Sequence, residues 1–265
     1  MKRALASLFV LLFAAAGARP ALADAQEQQI GQQIYQQLAR RGEIINNSPY
    51  YNVLNPLAQR IERVVDPQYD APFHFILVHE KDPNAFSVPG GNVYVTDSMM
   101  TFVQNKEELA GVLCHETSHT IHRDVVHLAQ KQQNVDLLAN LASVLLGGRA
   151  LTNFMLGSAD QLVGLQFSRG VEHAADYKGA MTCAQAGINP WGMVWLFEHF
   201  EAHPPSGRPP EALSDHPRDD HRISDLQAEF AADPTLFGHF SSDISNATPL
   251  GEQGFRSDRA RARGI

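Results

Sequence analysis

His115, Glu116 and His119 stand in the stretch LCHETSH, residues 113–119. Two histidines four places apart on a helix face the same way, with Cβ atoms about 5–6 Å apart. Both imidazoles can then converge on one ion at about 2.0–2.1 Å. Glu116, beside the first histidine, reaches a water on that ion and can act as its general base. The pattern predicts a hydrolytic zinc site: His115 and His119 hold the metal and Glu116 moves the proton. Chance explains it poorly, because a chain with 12 histidines in 265 residues yields about 0.03 such matches.

Catalytic zinc takes three protein ligands and keeps one position open. Six places after His119 stands Val125, and residue 122 is His rather than Gly, so the metzincin extension is absent. His122 shares a face with His115 and His119, but a third turn is badly placed for the same ion. It is expected to face solvent or to support the ligands. The better third ligand is Glu172, in RGVEHAAD on a separate predicted helix. Asp176 follows one turn later on the same face, placed to accept a hydrogen bond from a ligand histidine, His115, and so fix its tautomer. A solvated acidic face is the alternative, against which Ala174 and Ala175 argue for close helix packing.

Helices must position these groups. NKEELAGVLCHETSHTIHRDVVH predicts a long helix with the histidines in its middle and a capping-box-like start at Asn105 and Glu108. FSRGVEHAADYKGAMTCAQAG predicts the helix of Glu172, closed by Gly187 and Pro190. PWGMVWLFEHF predicts another, and a Pro-rich loop leads to a last one. Upstream, Ile30, Ile34 and Leu38 mark a helix ended by Gly42. NPLAQRIERVVD marks a second, with Asn55 as N-cap and Pro56 in the first turn. Phe73–His79 predicts a strand, and the Pro-Gly-Gly turn at 89–91 leads into alternation at Val93 and Val95. The class is α+β, mostly helical, with a small β-sheet beside the active-site helix. The apolar run 136–166 reads either as two core helices or as a cover beside the site that touches a membrane periphery.

Bulk properties narrow the function. Hydrophobic residues make up 44% and charged residues 19%, which is ordinary for a globular chain. A basic start (Lys2, Arg3), an apolar run from Ala4 to Gly17 and small residues at Ala21 and Ala23 read as a signal peptide over 1–23, cleaved on export. The domain is expected over 24–250, with a loose tail over 251–265. Loss of Lys2, Arg3 and Arg19 moves the net charge from −8 to −11, which argues against nucleic acid as a partner. Of the two cysteines, Cys114 adjoins His115 in a buried helix, and both are read as small buried residues rather than as a pair.

HETSH, then SRGVEHAADYKGAMTCAQAGINP, then SDHPRDDHRI, with NAFSVPGGNVYVTDSMM upstream, resembles the M48 family of gluzincin metallopeptidases, in the manner of its bacterial periplasmic members. The motifs span most of residues 50–230. Neither tetratricopeptide repeats nor a multi-span membrane region is visible in the sequence. The resemblance implies that His115, His119 and Glu172 hold one Zn2+ per chain, with Glu116 as the base. It implies that His216, in the His-Pro motif, lies near the metal, as a fourth ligand, a latch or an oxyanion donor. It also implies that Arg222 lies near the site, pairing with Asp176 or stabilising charge in the transition state.

The expected function is a zinc-dependent endopeptidase of the periplasm, with Glu116 as general base to a zinc-activated water. Its expected substrates are unfolded or misassembled envelope proteins, paired in extended form along the strand Asn92, Val93, Tyr94 and Val95. The alternative is a latent or chaperone-like binding protein whose zinc is capped by His216. Self-association through an exposed edge strand is open.

Overall fold

The structure is a computed structural model and describes residues 18–131, 167–203 and 221–251. Helix α1 (Ala18–Arg40) is followed by α2 (Tyr51–Val65) and strands β1 (His74–Val78), β2 (Ala85–Ser87) and β3 (Asn92–Thr96). Helices α3 (Asp97–Phe102), α4 (Lys106–Ile121) and α5 (Asp124–Lys131) come next. Then follow α6 (Arg169–Gln185), α7 (Trp191–Ala202), α8 (Arg222–Ala232) and the short α9 (Pro234–Phe237). The predicted class holds: helices dominate, and the sheet has three strands. No helix among the described residues is long and apolar enough to cross a membrane. The expected cleavage point after Ala23 falls within α1. The apolar run 136–166, His216 and the tail from 252 onward lie outside the described residues.

α4 is the centre of the fold. Asn105 Oδ1 accepts the Glu108 amide at 2.8 Å, and the Glu108 carboxylate takes the Asn105 side-chain amide at 2.9 Å and the Gln104 backbone amide at 2.8 Å. This reciprocal cap satisfies the Glu108 amide of the first turn, and the Lys106 amide donates to the Thr248 carbonyl at 2.9 Å. From Glu107 to Thr120 every residue is buried, because the sheet and α2 cover one side and α6 and α7 the other. A helix enclosed all round shows little amphipathic pattern, but it holds its side chains in fixed rotamers.

The sheet order is β1-β3-β2, with β1 parallel to β3 and β2 antiparallel to it. Val93 and Val95 join the core shared with α2 and α4, while Tyr94 joins α1 residues Ile30, Ile34 and Leu38 on the opposite face. β3 is therefore buried on both faces and hydrogen-bonded on both edges. This corrects the expectation that Asn92, Val93, Tyr94 and Val95 pair with substrate: β1 is registered along 92–96 and β2 along 93–95. Val93 and Val95 alternate as expected within β3, but hydrophobic period does not say which strand is central.

Two further expectations change. α2 begins at Tyr51 rather than at Asn55, so Pro56 lies inside the helix. Ser48 starts the turn, accepting the Tyr50 amide on its hydroxyl at 3.2 Å and the Tyr51 amide on its carbonyl at 3.1 Å. The cysteines are not two isolated buried residues: Cys114 on α4 and Cys183 on α6 form a disulfide, with Cα atoms 6.0 Å apart. The two cysteines lie 69 residues apart in sequence, too far for any local pattern to show the pairing.

Candidate metal centre and active site

α6 crosses α4 closely because Gly179 lies against the backbone of His115; a Cβ there would sit 3.0 Å from the His115 Cα and N. At the end of α6, Gly187 takes φ 68°, and the Ile188 amide returns to the Cys183 carbonyl at 2.8 Å, as a glycine C-cap requires. Arg60 of α2 donates to the freed carbonyls of Ala186 (3.1 Å) and Gly187. Gly179→Ala is expected to force the two ligand helices apart by a few tenths of an ångström. The loss of about 1–3 kcal/mol typical of overpacking can be measured by urea unfolding.

The crossing brings His115, His119 and Glu172 together, all buried, with one candidate ligand atom from each inside a sphere of contacts no wider than 4.8 Å. His115 Nε2 and His119 Nε2 lie 3.1 Å apart. The Glu172 oxygens lie 3.6 Å from His115 Nε2 and 3.8 Å from His119 Nε2. Bonds of about 2.0–2.1 Å at tetrahedral angles would place ligand atoms about 3.3 Å apart. Two imidazole nitrogens and a carboxylate converging at this spacing suit a borderline metal such as zinc, and two facing ring nitrogens at this depth are otherwise poorly matched. The residues fit the implied metal.

The other nitrogen of each histidine is also held. His115 Nδ1 lies 2.9 Å from Asp176 Oδ1, the partner expected from the sequence, at ion-pair distance. His119 Nδ1 lies 2.8 Å from Asp124 Oδ2. A carboxylate beside each Nδ1 favours the tautomer with the proton there, which would leave each Nε2 lone pair for a metal. The Phe167 ring stacks on His119 with centroids 4.5 Å apart. Asp124 and Phe167 were not found in the sequence. Asp124 is five places past His119, off the helical face, and only the turn at Arg123 (φ 54°) returns it to the ligand.

Arg222 is buried and makes a bidentate pair with Asp176, at 2.7 Å from Nε and 2.6 Å from Nη2, while Nη1 lies 3.5 Å from Glu172. Its guanidinium carbon stands 4.3 Å from the Phe197 ring centroid. Burial pushes the Asp176 carboxyl up, but the Arg222 charge and the hydrogen bonds from His115 and Arg222 outweigh it and hold the group below the usual carboxylate range. Burial likewise opposes charge on Arg222, and Asp176 more than restores it. His122 is the C-cap of α4, half-buried and outside the metal cluster.

Glu116 is buried, and one carboxylate oxygen accepts the Ser87 backbone amide at 3.0 Å. Ser87 ends β2, whose other side is bonded to β3. Glu116 thus stands between the His115, His119 and Glu172 cluster and an outer strand. Beside His115 and Glu116 lies an apolar cavity lined by Val112, Met193, Leu196, Phe197 and Arg222.

A glutamate and two histidines on crossing helices, with a second glutamate against an edge strand, define a metallopeptidase. The profile of peptidase family M48 matches residues 52–230, and the chain belongs to that family. It is 29% identical over 213 residues to the beta-barrel assembly-enhancing protease of Escherichia coli (strain K12), covering 76% of this chain and 43% of that protein. It is 31% identical over 211 residues to the protein of the same name from Yersinia pestis, with 76% and 43% covered. It is 32% identical over 163 residues to the mitochondrial metalloendopeptidase OMA1 of Schizosaccharomyces pombe, with 60% of this chain and 47% of that protein covered. The chain spans less than half the length of these relatives.

Proposed function

We propose that the chain is a zinc-dependent endopeptidase that acts on unfolded or misassembled proteins of the cell envelope, after export to the periplasm. The single observation that carries the reading is the place of Glu116, beside the three-residue ligand cluster and 3.0 Å from the outer strand at Ser87. Zinc, held by His115, His119 and Glu172, would supply Lewis acidity, polarising the substrate carbonyl and acidifying water.

The chain's own residues do the rest. Glu116 takes the proton of the attacking water and passes it to the departing amine. Asp176 and Asp124 keep both imidazoles in the tautomer that faces the metal. Arg222 holds Asp176 and Glu172 in place and adds positive charge near the reacting carbonyl. β2, the outer strand, replaces β3 as the strand along which an extended peptide pairs: the backbone groups of Ala85 and the Ser87 carbonyl point away from β3 under the antiparallel register, while the Ser87 amide is held by Glu116. Backbone pairing reads no particular side chains, which suits unfolded substrates. The apolar cavity beside Glu116 would take an apolar side chain next to the cleaved bond. His216 is retained as a donor to the oxyanion or as a latch. The relatives' names, two of them for assembly of β-barrels, a class found in outer membranes, support the envelope setting.

The test is cleavage of casein by the purified chain. Chelation is expected to abolish it, and stoichiometric zinc to restore it. A silent wild type with an active His216→Ala variant would make His216 a latch. If neither cuts although zinc is bound, the peptidase reading fails and the binding-protein reading replaces it.

A further inference from the structure

We propose that the N-terminal helix α1 belongs to the positioning apparatus of the metal site: through Glu27 and Arg123 it sets the turn that aims Asp124 at His119. The inference rests on reading His119 as a metal ligand.

α4 ends at Ile121, and the chain turns sharply before α5 starts at Asp124. The turn depends on Arg123, the only non-glycine residue at positive φ among the described residues, at 54°. An arginine has no intrinsic preference for this left-handed region, so the surroundings must hold it there. They do so through its side chain. Arg123 Nε lies 3.1 Å from Glu27 Oε1 on α1, and Nη2 lies 3.2 Å from Asp70. The guanidinium carbon stands 5.8 Å from the Tyr69 ring centroid. With Arg123 so fixed, the next residue places Asp124 Oδ2 2.8 Å from His119 Nδ1.

Glu27 is itself immobilised. It is 4% exposed. Tyr69 donates its hydroxyl to Glu27 Oε2 at 2.6 Å, and the Gly90 amide donates to the Tyr69 oxygen at 3.0 Å. The Glu27 carbonyl packs on Gly90 (φ 96°), where a Cβ would come within 2.7 Å. The Pro-Gly-Gly turn, left without a role by the chemistry of the site, is thus the surface on which this end of α1 sits. Ile30, Ile34 and Leu38 already dock α1 on the sheet. A buried carboxylate is not needed for docking and is costly unless paired. Its partners lead in one line, Glu27 to Arg123 to Asp124 to His119. Asp124 and Arg123 are positioning residues on this view, and the helix beginning nearest the expected export site becomes a condition for a well-formed metal site.

The test is zinc affinity of the metal-stripped full chain, measured by competition with a chromophoric chelator, with circular dichroism as the check on folding. Asp124→Ala is expected to weaken zinc binding by about 10–100-fold, and Asp124→Asn, which keeps an acceptor oxygen, by less. Glu27→Gln and Arg123→Gly are expected to weaken it in the same direction. Arg123→Gly is the decisive variant. Glycine adopts the left-handed turn without strain, so a purely conformational role for residue 123 predicts unchanged or tighter binding, whereas loss of the clamp predicts weaker binding. In the metal-free protein, the Nδ1–H proton resonance of His119 should move or broaden in Arg123→Gly as well as in Asp124→Ala. Wild-type zinc affinity in folded Arg123→Gly and Glu27→Gln overturns the inference. A wild type that binds no zinc overturns instead the reading of the site on which it rests.

Discussion

Glu116→Gln is expected to lower the rate of peptide hydrolysis by about 10²–10⁴-fold, the usual contribution of a positioned general base, while zinc affinity and unfolding midpoint stay near wild type. Gln has the shape of Glu and keeps an oxygen for the Ser87 amide, now 3.0 Å from the carboxylate. It makes none of the three ligand contacts. What it lacks is a basic site for the proton of the attacking water. Single-turnover cleavage of casein, with zinc titrated in parallel, separates these effects. Equal losses of zinc and activity would mean that residue 116 shapes the metal site. Retained activity would mean that another group moves the proton.

The largest expected loss of stability follows Arg222→Met. Methionine preserves length and contact with the Phe197 ring, but leaves Asp176 and Glu172 buried without the guanidinium that lies 2.6–2.7 Å from one and 3.5 Å from the other. Removing one partner of a buried ion pair costs about 3–5 kcal/mol. Asp176 would then hold His115 less firmly, with about 10–100-fold weaker zinc binding. The sign of the pH effect distinguishes this from simple loss of packing. In the wild type the Asp176 pKa is depressed, so its contribution is present above the unfolded value near 4 and is lost as pH falls below it. In the variant, burial prevails and raises that pKa, so acidification should relieve the penalty and narrow the gap to wild type. Urea midpoints of the metal-free proteins at pH 7 and pH 4 measure it. A gap that does not change with pH would rule out an electrostatic role for Arg222.

The two same-face pairs of the site were legible because their information is local, whereas the meeting of Glu172 with the two histidines was carried only by the family resemblance. A spacing of four places His115 and His119 on one helical face, and the same spacing relates Glu172 to Asp176. The strand at Val93 and Val95 was legible for the same reason, as was the reciprocal cap of Asn105 and Glu108. What remained hidden depends on how elements meet. That β3 is central and β2 is the outer strand follows from pairing across a crossover, which the period of two does not encode. The Cys114–Cys183 bond joins residues brought together only by the crossing of α4 and α6. Asp124 escaped because it reaches His119 by a left-handed turn, and arginine at position 123 gives no hint of one.

That disulfide has a bearing on how the site behaves between metal ions. Cys114 directly precedes His115, and Cys183 lies on the helix that carries Glu172. If the proposed ion left, Glu172 would therefore stay tethered within reach of the two histidines. Its effective concentration toward them is set by a covalent link rather than by packing alone. Reloading then orders a few side chains instead of docking a helix. In a chain with both sulfurs reduced, metal capture would have to supply that docking as well, so the oxidised protein is the form that can lose and regain its ion as a rigid receptor.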